Sequence, residues 1–132
     1  MIVLDASALL ALIKQEPGSD VVATAAAVED ATVSSINYSE TLQKAARLGV
    51  QPELVDSRLD ALGITVSQFG RLDARLAASF YRHGSNLSLG DRACLALVRN
   101  LSSPAYTADR DWLNWASQLA VEVRVIIRGA AT

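Results

Sequence analysis

The chain has 132 residues, a net charge of −2, 51% hydrophobic residues and 5% aromatic residues, so we expect one domain over residues 1–132 without an overall basic surface. Its single cysteine, Cys94, excludes an internal disulfide bond and a cysteine-rich zinc site. No apolar run approaches the ~20 residues of a membrane span, and no basic segment precedes the first apolar run. We therefore expect a cytoplasmic protein without membrane contact.

Apolar periodicity predicts strands and helices that alternate along the chain. The predicted strands are Met1–Leu4, Ala31–Ser35, Ile64–Val66, Ala105–Thr107 and Val121–Ile127. The predicted helices are Ser7–Gln15, Val21–Val28, about Asn37–Leu48, Pro52–Leu62, Gly70–His83, a helix entered at Ser88 and broken at Ser102, and a short one at Ala108–Trp112. This alternation predicts an α/β fold with three layers, α/β/α, in which helices flank a mainly parallel five-stranded sheet.

Several residues indicate where the predicted helices begin. Ser19 or Asp20 is a candidate cap for the second helix, and polar residues from Asn37 onward are typical of a helix start that places Glu40 in the first turn. Ser88 and Asp91 have the spacing of a capping box, with aspartate in place of glutamate. These features place two acidic side chains at helix N-termini.

Four acidic residues fall where a parallel sheet gathers the C-terminal ends of its strands. Asp5 follows the first strand, Glu40 follows the second, Asp91 begins the helix before the fourth, and Asp109 follows the fourth. Open α/β sheets bind ligands at this edge. We therefore expect the four carboxylates to meet in one pocket.

Carboxylates that crowd together repel one another unless a cation offsets their charge. A hard divalent ion does so, and Mg²⁺ is typically held by one or two carboxylates, waters and substrate phosphates. Such an ion polarises a phosphodiester and activates water. If four acids serve a metal, 10 acidic residues remain against 12 basic ones, which permits a nucleic-acid partner.

Each residue also has a purely structural interpretation. Asp5, Glu40 and Asp91 are favourable at helix N-termini, and Asp109 suits a turn in which it bonds its own backbone. His83 is interpreted as a partly exposed helix-end residue, and Cys94 as a small core residue. Only the combination of four acids favours a functional site.

The chain resembles PIN-domain proteins, and closely the VapC-type toxin branch of toxin–antitoxin pairs. The resemblance is carried by VLDASALLAL at the N-terminus, the turn EPG, SINYSE ending in Glu40, LSLGDRACLAL around Asp91 and YTADRDW around Asp109. It implies a PIN-like fold and a metal-dependent endoribonuclease that uses Mg²⁺ or Mn²⁺ to cleave RNA. It also implies a cognate antitoxin protein as partner and a homodimer.

The same resemblance assigns Asp5, Glu40, Asp91 and Asp109 as catalytic residues and metal ligands. Ser7 and Thr107 match polar positions that support these ligands through hydrogen bonds. Asp111 is an extra acid whose participation the sequence leaves open.

Other interpretations stay open. A catalytically inactive PIN-like module that binds RNA or protein is disfavoured because all four acids are present, and an aspartyl-phosphate enzyme is disfavoured because no second acid adjoins Asp5. Lys44, Arg92 and Arg110 lie next to the acidic motifs and either hold RNA phosphates or form solvated helix faces. The first two helices either present an apolar groove to a partner peptide or pack into the core.

Overall fold

The apolar runs form a five-stranded sheet that helices cover on both faces. The computed structural model describes residues 1–126. The strands are β1 (Ile2–Leu4), β2 (Ala31–Ser34), β3 (Ile64–Ser67), β4 (Ala105–Thr107) and β5 (Val123–Val125). The helices are α1 (Ala6–Lys14), α2 (Ser19–Val28), α3 (Ser35–Arg47), α4 (Pro52–Ala61), α5 (Arg71–Ser79), α6 (Leu89–Leu101) and α7 (Ala116–Leu119), with a 3₁₀ helix at Arg110–Asn114.

The strand order is β3-β2-β1-β4-β5, and every described pairing is parallel. The predicted α/β class with a parallel five-stranded sheet is therefore confirmed. The chain builds the sheet outward from β1 to β2 and β3, and then returns to the other side of β1 to add β4 and β5. The direction of growth reverses between β1 and β4, which makes this the topological switch point.

Alternating side chains of β1 divide the core into two layers. Ile2 and Leu4 pack with α1 to α4 on one face, while Val3 packs with residues of α5, α6 and α7 on the other. The three β1 residues have no exposed surface. A strand buried on both faces needs a continuous apolar run, as this sequence has, and the result is the predicted three-layer α/β/α arrangement.

Two helix starts differ from the prediction. The cap of α3 is Ser34, whose hydroxyl accepts a hydrogen bond from the Ile36 N–H at 3.3 Å. Asn37 therefore lies inside the helix, and Glu40 lies in its second turn rather than its first. Gly18 precedes α2, and neither Ser19 nor Asp20 serves as its cap, because both already lie within the helix.

The helix predicted over Gly70–His83 ends at Ser79. Phe80 turns into the core, where it is 2% exposed, and the Arg82 guanidinium donates to the carbonyls of Ser79 at 2.8 Å and Tyr81 at 3.1 Å. These contacts occupy one carbonyl at the last residue of the helix and one just beyond it. His83 is consequently an exposed turn residue, not a helix-end residue.

The C-terminal elements are shorter and more numerous than predicted. The short helix expected at Ala108–Trp112 is the 3₁₀ helix, and α7 after it was not predicted. The strand predicted over Val121–Ile127 spans Val123–Val125, and Ile127 lies outside the described residues. Among residues 1–126, no helix has both the length and the apolar character needed to cross a membrane.

Candidate active site at the switch point

The switch point brings Asp5 beside the end of β4. The Asp5 N–H donates to the Tyr106 carbonyl at 3.2 Å, so the chain that leaves β1 stays attached to its neighbour. Asp5 is the N-cap of α1, and its Oδ1 accepts from the Ala8 N–H at 2.8 Å. The capping interpretation is therefore correct, and it does not remove the carboxylate from the crevice between the strands.

Two hydroxyl groups hold the Asp5 carboxylate from the side. Ser7 donates to Oδ1 at 2.7 Å, and Thr107, the last residue of β4, donates to Oδ2 at 2.6 Å. Ser7 also accepts from the Ala108 N–H at 2.9 Å. Asp5 is only 6% exposed, so its orientation is set by these donors rather than by solvent.

Helices α3 and α6 deliver the next two carboxylates. Glu40 accepts from the Asn37 side-chain amide at 2.9 Å through its Oε1. Asp91 forms the predicted capping box, since the Ser88 hydroxyl accepts from its N–H at 3.1 Å and its Oδ2 accepts from the Ser88 N–H at 3.0 Å. The Asn37 amide also donates to the Gly90 carbonyl at 3.0 Å, which ties the two helices together.

Asp109 follows β4 and begins the 3₁₀ helix. Its Oδ1 accepts from the Asp111 N–H at 2.9 Å, the turn geometry that the sequence allowed. Its own N–H donates to the Thr107 hydroxyl at 3.0 Å. The Asp111 Oδ1 accepts a hydrogen bond from the Asn114 side-chain amide at 3.0 Å. Asp111 does not line the cavity that the four acids share.

The four acids meet in a small cavity of about 150 Å³. Its lining residues are Asp5, Ala6, Ser7, Asn37, Glu40, Lys44, Asp91 and Asp109. Among the three basic residues considered from sequence, Lys44 lines this cavity. Arg92 instead lies against α5, with its guanidinium on the Ala77 carbonyl at 3.1 Å and over the Tyr81 ring.

Burial and mutual repulsion raise the affinity of this cavity for positive charge. Burial, and to a lesser extent the charge of Asp91, raises the pKa of Asp5 to about 6, although Thr107, Ala8 and Ser7 oppose the rise. Burial also raises the pKa of Asp91, with Asp109 and Glu40 adding repulsion. Within residues 1–126, no basic group forms an ion pair with any of the four carboxylates.

The donor set fits a hydrated divalent cation. All four acids offer hard oxygen ligands, and the Asn37 Oδ1 is a buried acceptor with no hydrogen-bond partner. Over the described part of the chain, no three acidic, histidine or cysteine side chains converge closely enough to hold an ion directly. An ion that is held by one or two carboxylates and by waters does not require such a group.

Two residues of this site were not predicted. Asn37 was interpreted only as a helix-start residue, and no role was predicted for Gly90. The available signal for Asn37 was its position three residues before Glu40, which places both on one helix face. Cys94, interpreted as a small core residue, is buried as expected.

The family model of the PIN domain matches residues 2–117. No curated protein matches the sequence significantly. Among solved structures, the chain is similar to a toxin–antitoxin complex from Klebsiella pneumoniae, with a TM-score of 0.75, 16% identity and coverage of 97% of this chain and 99% of that one. VapBC2 from Rickettsia felis, bound to a promoter DNA fragment, matches with a TM-score of 0.67, 16% identity and coverage of 95% and 98%. FitAcB from Neisseria gonorrhoeae matches with a TM-score of 0.64, 23% identity and coverage of 93% and 96%.

Proposed function

Because this chain belongs to the PIN-domain family, we propose that it is a metal-dependent endoribonuclease that acts as the toxin of a toxin–antitoxin pair. PIN domains are generally nucleases. The observation that carries the proposal is the meeting of Asp5, Glu40, Asp91 and Asp109 in one cavity at the switch point. We further propose that residues 1–132 work as one domain in the cytoplasm.

Asp5 and Asp91 are the proposed direct ligands of Mg²⁺ or Mn²⁺, with Glu40 and Asp109 completing the site. A divalent ion bound there supplies Lewis-acid polarisation of a phosphodiester and a lowered pKa for a water molecule. Ser7 and Thr107 orient the Asp5 carboxylate by donating to both of its oxygens. Oriented ligands of this kind hold a metal more tightly than freely rotating ones.

RNA is the proposed substrate because the site needs only a phosphodiester that can reach a small cavity. Single-stranded loops of RNA expose their backbone and bases in this way. Lys44 lines the cavity, and its positive charge attracts a phosphate that the four carboxylates would otherwise repel. The first step of recognition is therefore electrostatic, and it does not require a basic protein overall.

An antitoxin protein is the proposed partner, and its support is an apolar groove beside α1, α2 and α4. This groove of about 290 Å³ is lined in part by Leu12, Ala23, Ala61 and Leu62. Solved structures with this fold include a toxin–antitoxin complex and VapBC2. A peptide with apolar anchors fits such a groove, and a homodimer is the proposed assembly of the toxin itself.

The proposal is tested by incubating end-labelled structured RNA with the protein in Mg²⁺, Mn²⁺ or EDTA. We expect cleavage with either metal, none in EDTA, and a loss of about 100-fold or more in Asp91→Asn. Asp30→Asn is the matched control, since Asp30 is an exposed aspartate outside the cavity. Cleavage by Asp91→Asn at the parent rate would show that the site is wrong. RNA that is bound but never cut would support the non-cutting module instead.

A further inference from the structure

Gly90 leaves room for the Glu40 carboxylate. A Cβ atom built on Gly90 would lie 2.7 Å from the Glu40 Cδ and 2.8 Å from Oε2, and it would also overlap Oε1. Carbon and oxygen atoms that are not bonded do not approach this closely. The carboxylate therefore occupies the volume that any other side chain at position 90 would need.

The backbone does not require glycine at this position. Gly90 lies in the first turn of α6, and its φ is not among the positive values found at Gly49, Gly63 and Gly84. In a helix, glycine costs about 1 kcal/mol relative to alanine. The need to leave space for Glu40 explains why position 90 is glycine although a helix disfavours it.

Asn37 lies on α3, as Glu40 does, and holds the same carboxylate. Its Nδ2 donates both to Glu40 Oε1 at 2.9 Å and to the Gly90 carbonyl at 3.0 Å. Reversing the amide would place Oδ1 against two acceptors, so these contacts determine its orientation. Asn37 is 2% exposed, and its Oδ1 remains without a hydrogen-bond partner although the residue lines the cavity.

We propose that Asn37 and Gly90 are positioning residues that seat the Glu40 carboxylate in the metal cavity. Gly90 does so by leaving space for the carboxylate. Asn37 does so by donating hydrogen bonds to both Glu40 and the Gly90 carbonyl. This inference rests on the proposed metal-dependent function. It adds two residues, 53 positions apart, that act on the metal through Glu40.

The test compares Gly90→Ala with Gly70→Ala by calorimetric titration of Mn²⁺ and Mg²⁺ and by thermal unfolding in EDTA. Gly70 is the matched control because its Cβ would meet only Asp73 Oδ2, at an ordinary 3.8 Å. We expect Gly90→Ala to raise the Kd for metal about tenfold or more. Its unfolding midpoint in EDTA is expected to equal or exceed that of the parent, because alanine favours the helix and the displaced carboxylate relieves repulsion.

A Glu40→Ala background separates positioning from a general structural effect. Here the overlapping carboxylate is gone, so adding Gly90→Ala is expected to leave the Kd unchanged. Asn37→Ala in the parent is expected to raise the Kd as Gly90→Ala does. A Kd within twofold of the parent for both single variants would overturn the proposal, as would an equal loss of affinity in the Glu40→Ala background.

RNA cleavage is measured separately with the same preparations. A parent that binds metal but cuts no RNA would refute the proposed nuclease while leaving the positioning result to stand on the Kd series. A parent that cuts RNA, with variants that keep its Kd, would refute the positioning role alone. A parent that binds neither cation would overturn the proposal that Asn37 and Gly90 position Glu40 for a metal.

Discussion

Replacing Asp5 by asparagine tests the electrostatics of the cavity through protein stability rather than through activity. Asp5 is almost fully buried, and burial raises its pKa from 3.8 to about 6. At neutral pH the folded protein therefore carries this carboxyl group in its ionised form only at a cost in stability. Asp5→Asn mimics the protonated acid and removes that cost.

The magnitude follows from the pKa. Two pKa units at about 1.4 kcal/mol each amount to about 3 kcal/mol, the cost of keeping Asp5 ionised in the folded state. The substitution also has a cost, since the Thr107 hydroxyl donates to Asp5 Oδ2 and would have to turn and accept from the new amide. Losing that arrangement costs about 1 kcal/mol, so the net gain in the free energy of unfolding is about 2 kcal/mol.

The sign of the pH dependence is definite. The folded protein keeps its proton on Asp5 up to about pH 6, whereas the unfolded chain loses it near 3.8. Because the folded state binds more protons between these values, the parent loses stability as pH rises from about 4 to about 6. Asp5→Asn lacks this contribution, so its advantage grows as pH rises from about 4 to about 6, and near pH 4 only the cost of about 1 kcal/mol at the Thr107 contact remains.

The assay is chemical or thermal unfolding in EDTA at several pH values, followed by the same series with Mg²⁺ or Mn²⁺. In EDTA above pH 6, Asp5→Asn is expected to melt about 6 °C above the parent. Adding metal is expected to stabilise the parent and not the variant, since binding to the folded state alone raises stability. A variant that is less stable than the parent at pH 8 in EDTA would refute the electrostatic reasoning.

Two further predictions concern Thr107, which donates a hydrogen bond to Asp5, and Lys44, which lines the same cavity. Thr107→Val removes the 2.6 Å hydrogen bond that favours ionised Asp5, so the acid limb of the pH–rate profile for RNA cleavage is expected to move to higher pH; an unmoved limb would contradict the role of Thr107. Lys44→Ala is expected to raise KM for RNA several-fold and to weaken its salt dependence with little change in kcat. The control is Lys14→Ala, which removes the lysine at the end of α1 that is paired with Glu16. An equal effect of both substitutions would show that Lys44 acts only through net charge.

The core strands and the acids that follow them could be predicted because each is indicated by residues close by in the chain. A continuous apolar run before Asp5 indicates a strand covered on both faces, and strand–helix alternation indicates parallel pairing. Asp5, Asp91 and Asp109 each adjoin an element end that is readable from neighbouring residues. The capping box of Ser88 and Asp91 is read within four positions of the chain.

The ends of elements were harder to predict where burial of a side chain in the core or an unrecognised cap decides them. The end of α5 depends on Phe80 entering the core and on Arg82 reaching back to two carbonyls, so its helical pattern overstates its length. The start of α3 depends on Ser34, which the sequence predicted as part of a strand and not as a helix cap. This shift moved Glu40 from the first turn to the second and placed Asn37 beside it.

The sequence by itself determined the α/β class, the buried strand β1 and the chain positions of the four acids, because each depends on periodicity or on a neighbouring residue. Only the tertiary structure decided that Lys44 faces the cavity while Arg92 packs on α5, and that Asn37 and Gly90 enclose Glu40. Those arrangements depend on how α3 packs against α6. Pairs far apart in the chain leave no periodic trace, since their meeting is set by the packing of whole helices.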